Sequence, residues 1–144
     1  ALNLVAAFHT PRLCLPTRRN QNFGRFINIA SVHGLVASVN KPADVAAKHG
    51  LDGFTNAAAL ETDKSNITCN AICPGWTYTP LIQAQIEQRA NDMGVSIEEG
   101  GRSLLTEKQP SEQFVTTDQL GAKVSRTRSS VHGTSPAAIS IWKS

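Results

Sequence analysis

The amino-acid sequence predicts an α/β fold built on a parallel sheet, and three observations carry that prediction. Two short apolar and β-branched runs, RFINIAS from Arg25 and ITCNAIC from Ile67, read as buried strands. Between them an Ala-rich stretch from about Ala43 to Thr62 has helical spacing, so the order is strand, helix, strand. Strands joined in that way form a right-handed crossover and end on one edge of the sheet.

Each element has its own local signals. Residues 1 to 16 place Leu2, Val5, Ala6, His9 and Leu13 at helical spacing, with a kink expected at Pro11 and a stop near Leu15 set by Pro16. Asn3 lies in the first turn and, on residue chemistry alone, reads as a cap or a satisfied polar group. A polar turn, TRRNQNFG, leads into the first strand, which delivers Ser31 to a strand end. The following helix carries Asp44 and Lys48 one turn apart. A hydroxyl at a strand end beside such an ionisable pair is suited to handling a proton.

Gly50 and Gly53 sit inside that helix, where each costs about 1 kcal/mol against alanine. With Ala46, Ala47, Ala57 and Ala58 they form a small-residue surface, which points to tight packing against another helix, including one across a subunit interface. The second strand ends at Pro74-Gly75, so Ser31 and Pro74 are expected at one crevice. Thr79 followed by Pro80 reads as an N-cap and first helical residue, opening a helix to about Asn91. From Asp92 to Pro110 the apolar anchors are few, which predicts a mobile loop with a helical piece. TTDQ from Thr116 resembles a capping box, with Leu120 and Val124 starting an apolar face. No period is sustained afterwards, and the pattern assigns no later helix or strand.

Length and composition narrow the function classes. The chain has 144 residues, 40% apolar and 17% charged, enough for one domain with a core. No apolar run approaches the roughly 18 residues of a membrane-spanning helix. The start lacks a Met and a basic n-region, so it reads as the edge of a fragment rather than as a signal peptide. Cys14, Cys69 and Cys73 include no CxxC pair, so no metal site is expected; they read as core or near-core thiols in a reducing, cytoplasmic setting. Residues 123 to 144 carry Lys123, Arg126, Arg128 and Lys143 and no acid, so the basic balance belongs to the tail. That tail lacks aromatic interleaving beyond Trp142, which argues against nucleic acid as a partner.

Taken together, Asn3 in NLVAAFH, NIAS ending at Ser31, His33-Gly34, Lys48, NAICPGW from Asn70 to Trp76 and TPL from Thr79 resemble the short-chain dehydrogenase/reductase family over residues 1 to 122. The resemblance implies part of a Rossmann-like doubly wound parallel sheet, without the N-terminal dinucleotide-binding half. It implies NAD-linked interconversion of a small hydroxy acid and its keto acid, 3-hydroxybutyrate and acetoacetate. Ser31 would bond the substrate carbonyl, Lys48 the nicotinamide ribose, and Asn3 a water in the proton relay. Pro74, Gly75 and Thr79 would meet the nicotinamide end, while His33, Lys41, Trp76 and Gln85 would hold the substrate and its carboxylate. Complete members suggest a homotetramer.

Three departures qualify those expectations. Asp44 stands at the family's tyrosine position, and an aspartate beside Lys48 stays ionised, with no proton to give at neutral pH. None of the glycines forms the Gly-rich strand-to-helix turn that seats a pyrophosphate. Residues 123 to 144 diverge into a Ser, Arg and Thr mixture expected to be disordered or frame-shifted. The chain is therefore expected to be nearly inactive, and the rival reading is a catalytically dead binding or oligomerisation subunit.

Overall fold

The computed structural model describes residues 2–108, 112–129 and 138–141. It divides into two compact units, Ala1–Cys73 with Lys123–Ser140 and Pro74–Ala122 with Ile141–Ser144. The elements are α1 (Leu2–Gln21), β1 (Gly24–Ile29), α2 (Pro42–Thr62), β2 (Ile67–Pro74), α3 (Pro80–Met93), α4 (Ile97–Lys108), α5 (Thr117–Ser129) and β3 (Ala138–Ile141). The architecture is α/β, a partial Rossmann-like sheet with strand order β1-β2-β3.

In the first unit β1 and β2 pair in parallel, from Gly24 opposite Ile67 to Ile29 opposite Ile72, and the Ala30 amide donates to the Ile72 carbonyl at 2.8 Å. The central strand β2 is buried along nearly its whole length, which is why its sequence is an almost unbroken apolar run. Ala30, Leu51, Ala71 and Cys73 form a core against which Leu4, Ala7 and Phe54 pack. α1 contributes to that packing: the Phe8 ring meets Phe54 edge-on, with centroids 5.5 Å apart.

This packing explains a departure from the local signals. α1 does not stop at Pro16 but continues through both Pro11 and Pro16 to Gln21. An interior proline costs about 3 kcal/mol in a helix, so burial of Pro11 and the apolar contacts of Leu4 and Ala7 outweigh local propensity. Gly50 also finds its reason here, since a Cβ on it would lie 2.9 Å from Leu4 Cδ2, whereas one on Gly53 would meet open space. The close helix approach is thus made within the chain, by α1 on α2. Of the thiols expected in the core, Cys69 and Cys73 are buried but Cys14, on α1, is exposed. Burial pushes the Cys69 thiol up to about 11.

In the second unit α3 starts and stops as its sequence predicts. The Thr79 hydroxyl accepts the Ile82 amide at 3.4 Å, Pro80 opens the helix, and Gly94 closes it at φ 66°. The stretch expected to be mostly loop is instead largely α4. Its start is a capping box: the Glu99 amide donates to Ser96 Oγ at 3.2 Å and the Ser96 amide to Glu99 Oε2 at 3.1 Å. The Ser96 hydroxyl, which donates to Glu99 Oε2 at 2.8 Å, and then the Ser96 amide hold the Glu99 carboxyl below its ordinary range. Gly100 is needed for packing, because a Cβ there would lie 2.9 Å from Ala90 Cβ and 3.0 Å from the Ile86 carbonyl of α3.

The second capping box holds as expected, with the Thr116 amide donating to Gln119 Oε1 at 2.9 Å and the Gln119 amide to Thr116 Oγ1 at 3.1 Å. α5 then runs on to Ser129, and β3 follows at Ala138–Ile141, in a stretch to which the pattern assigned no element. For the rest of the segment expected to be disordered, residues 130–137 and 142–144, Trp142 and Lys143 included, lie outside the described residues.

Candidate active site

The first unit gathers four of the residues singled out in the sequence where β1 gives way to α2. Ser31 follows the strand in extended conformation, φ −169° and ψ 162°, and caps a short 3-10 turn, Val32–Gly34. Its Oγ accepts the backbone amide of His33 at 3.2 Å, so that bond does not use the hydroxyl hydrogen. Gly34 lets the turn lie on α2: a Cβ at this position would stand 3.0 Å from the Lys48 carbonyl oxygen.

On the α2 side, Lys48 Nζ donates to the carbonyls of Ile29 at 3.3 Å and Ala30 at 3.0 Å. The ammonium is thereby fixed to the end of β1. Asp44, one turn earlier, takes a different partner: its Oδ2 lies 3.0 Å from His33 Nδ1. The sequence placed Asp44 beside Lys48 as its charge partner; the geometry pairs it with the imidazole instead, because strand-end carbonyls already take the lysine. The His33 side chain is 17% exposed and that of Asp44 39%, so the pair borders solvent.

Deeper along α2 is a polar connection that sequence reading missed. Asn28 Nδ2 donates to Thr55 Oγ1 at 2.9 Å, and the fully buried Thr55 hydroxyl donates to the Leu51 carbonyl at 2.7 Å. These bonds tie β1 to α2, the helix that carries Lys48. The signal was an Asn inside an apolar strand, which demands a partner when buried. Asp52 also faces inward, with Oδ1 buried and unbonded; burial raises its carboxyl, and His49 partly offsets the shift. Cys73 is raised by burial and secondarily by Asp52, against smaller lowering effects of Ser31 and Lys48.

Two residues expected at this site are not drawn into it. Asn3 is exposed on α1, and Lys41 is exposed at the start of α2, where its carbonyl accepts the Val45 amide at 2.9 Å. Among the described residues, neither side chain takes part in the hydrogen bonds that link Ser31, His33 and Asp44 or in those that seat Lys48 on the end of β1.

The second unit holds the remaining candidates. Pro74 ends β2, Gly75 and Trp76 follow, and the Trp76 carbonyl accepts the Val115 amide at 2.8 Å. The Thr79 hydroxyl is engaged as the α3 cap, and Gln85 is exposed on that helix. Tyr78 stacks edge-on against Phe114, centroids 5.7 Å apart. That pair helps line a cavity of about 410 Å³ with Ile86, Ile97, Arg102 and Leu105, a feature the sequence did not announce. Gln85 does not line it. Among the described residues no group of three His, Cys, Asp or Glu is placed to hold a metal, and no helix is long and apolar enough to cross a membrane.

Comparison with known proteins gives this geometry a context. Residues 1–90 match the pattern of the short chain dehydrogenase family. The chain is similar to a D-beta-hydroxybutyrate dehydrogenase of Cupriavidus necator, 58% identical over 122 residues, which are 85% of this chain and 47% of that protein. A protein of the same name from Rhizobium meliloti is 44% identical over 122 residues, with the same shares covered. Among solved structures, an actinorhodin polyketide ketoreductase variant with NADPH superposes with a TM-score of 0.81 at 30% identity, covering 96% of this chain and 54% of that one. The chain spans about half the length of the curated relatives it matches.

Proposed function

The chain belongs to the short chain dehydrogenase family, and from that premise we propose that it carries the substrate side and nicotinamide end of an NAD-linked 3-hydroxybutyrate oxidoreductase site. The observation that carries this reading is the convergence of Ser31 and Lys48 at the end of β1, under a turn that Gly34 lets approach α2. The similarity to two relatives with D-beta-hydroxybutyrate dehydrogenase names supports the substrate class. The reading extends to a homotetrameric assembly and a cytoplasmic setting, the latter in keeping with free thiols at Cys14, Cys69 and Cys73.

Each unit offers groups suited to the nicotinamide end of a dinucleotide. Lys48 offers an ammonium to ribose hydroxyls, and Pro74, Gly75 and Thr79 offer a strand-end turn and a hydroxyl. When bound there, a reduced nicotinamide would supply the electron pair for reduction of the keto carbon. As negative charge develops on the carbonyl oxygen, the Ser31 O–H donates to it and lowers the barrier. His33, Lys41, Trp76 and Gln85 are assigned to the substrate, with cationic and amide donors for a carboxylate. Asn3 is assigned to the water of the proton relay.

Asp44 makes this a slow site in our reading. An ionised carboxylate accepts hydrogen bonds and has no hydrogen to donate, so the family's phenol role is unfilled at that position. A second reading, a catalytically dead subunit that associates with complete relatives, is favoured by Asp44 and by the exposed Leu2 and Leu13 of α1. Residues 1–122 would form the family portion in either case, and 123–144 a divergent tail.

Titration of 3-hydroxybutyrate into the ¹⁵N-labelled chain tests the first reading. It predicts movement of the Ser31, His33 and Lys48 amides; spectra that stay unchanged at saturating hydroxy acid contradict it.

A further inference from the structure

We propose that His33 is the proton carrier of this site and Asp44 the residue that positions it. The proposal rests on the substrate reading above and reassigns His33 within it: the ring serves the carbonyl oxygen, and the carboxylate is left to Lys41, Trp76 and Gln85. The observation is the 3.0 Å contact between His33 Nδ1 and Asp44 Oδ2, made between a turn and a helix that the fold brings together.

The chemistry of the two partners decides where the hydrogen lies. A carboxylate can only accept, so the hydrogen in this contact belongs to Nδ1. In the neutral ring Nε2 then carries a lone pair, and in the imidazolium it carries a hydrogen. A ring held this way can take a proton at Nε2 from an alcohol or give one to a carbonyl oxygen. Tyrosine offers the same service through one oxygen, and aspartate alone does not. Asp44 thus removes a phenol while fixing the tautomer of a neighbouring imidazole.

The surroundings suit that role. The His33 side chain is mostly buried yet reaches solvent, and its Nδ1 is held by Asp44. Its own backbone amide binds Ser31 Oγ at 3.2 Å, which puts the proton carrier and the carbonyl-binding hydroxyl on one short turn. Lys48 is fixed to the Ile29 and Ala30 carbonyls and leaves Asp44 to the imidazole. Asp52 also borders this turn on the α2 side: its Cβ lies 3.7 Å from where a Cβ on Gly34 would stand.

The step balances with a reduced nicotinamide as the named reductant. His33 gives the Nε2 proton to the carbonyl oxygen as hydride reaches the carbonyl carbon, so the C=O π pair becomes an O–H bond. The keto acid becomes the hydroxy acid, the nicotinamide is oxidised, and the ring is left neutral with Nδ1–H still bonded to Asp44. In the oxidative direction Nε2 takes the alcohol proton.

Imidazole ¹⁵N spectra of the unmodified chain, with and without acetoacetate, test this directly. The expected result is a His33 ring with hydrogen on Nδ1 and a lone pair on Nε2, whose Nε2 signal moves on adding acetoacetate. In Asp44→Asn the Nδ1–H preference should be lost, and in Asp44→Glu it should return. A merely structural tie between turn and helix predicts no Nε2 response to the keto acid. A His33 ring with hydrogen on Nε2 in the unmodified neutral form overturns the proposal. So does an acetoacetate response at the Ser31 and Lys48 amides with Nε2 unmoved, which leaves the substrate reading intact. No response at any of the three residues overturns the substrate reading and this inference with it.

Discussion

Asp44 and Asp52 share one helix, yet their carboxylates meet opposite circumstances. Asp44 stands in the first turn of α2, where helix-end amides favour an acid, and it has the His33 imidazole as a partner 3.0 Å away. Asp52 lies two turns on, facing inward, with Oδ1 buried and unbonded and a carboxyl raised by burial. Residue type and helix are the same; the neighbouring element differs. Beside Asp44 the turn after β1 offers a ring nitrogen, whereas Asp52 finds no donor for its buried oxygen. One carboxylate is therefore available for chemistry, and the other opposes folding.

The comparison can be broken hardest at Gly34, which lets the turn reach the helix at all. Gly34→Val puts side-chain carbon against the Lys48 carbonyl, and overpacking against backbone costs about 1–3 kcal/mol. The urea midpoint should fall and the His33 contact with Asp44 should be lost from the imidazole spectrum. An unchanged midpoint would mean that the turn is not seated on α2 as described. Thr55→Val tests the buried tie beneath it: stranding the Asn28 amide should cost about 1–2 kcal/mol by chemical denaturation.

Asp52→Val sharpens the contrast, since removing an unbonded buried oxygen should stabilise the chain by about 1 kcal/mol at neutral pH. The Asp52 carboxyl is raised above its ordinary 3.8, so the folded state binds the proton more tightly than the unfolded chain does. Its penalty is therefore full above the raised value and fades as pH falls through it toward 3.8 and below. Melting curves should show the Val variant's advantage shrinking on acidification; an advantage that grows would reverse the sign of the account. Asp44→Asn should be the mildest, under about 1 kcal/mol in thermal denaturation, because its pair borders solvent. A loss several times larger would make Asp44 a structural anchor.

What the sequence made legible follows the range of the forces involved. β1, β2 and the start of α3 announce themselves through local chemistry: apolar runs with punctuation at Pro74-Gly75, and Thr79 before Pro80. α4 carried an equally local signal in Ser96 and Glu99, but Gly100 and Gly101 masked its apolar face, and their reason is a neighbouring helix or ring. α1 outran Pro11 and Pro16 because packing on the core decided its length. At the site, Ser31 and Lys48 were legible as types at a spacing. The partner of Asp44 was not, because it depends on where the turn after β1 puts His33 and on the carbonyls that occupy Lys48.

The most direct test of the central claim is NADH-dependent reduction of acetoacetate by the chain and by Asp44→Tyr, measured side by side. If the site is a family oxidoreductase slowed by the lost phenol, the Tyr variant should turn over faster by about a hundredfold, as expected when the family's phenol takes over as general acid from the imidazole. Equal rates would contradict that account: equal measurable rates would leave the proton to His33 alone, and no turnover in either chain would favour the binding subunit.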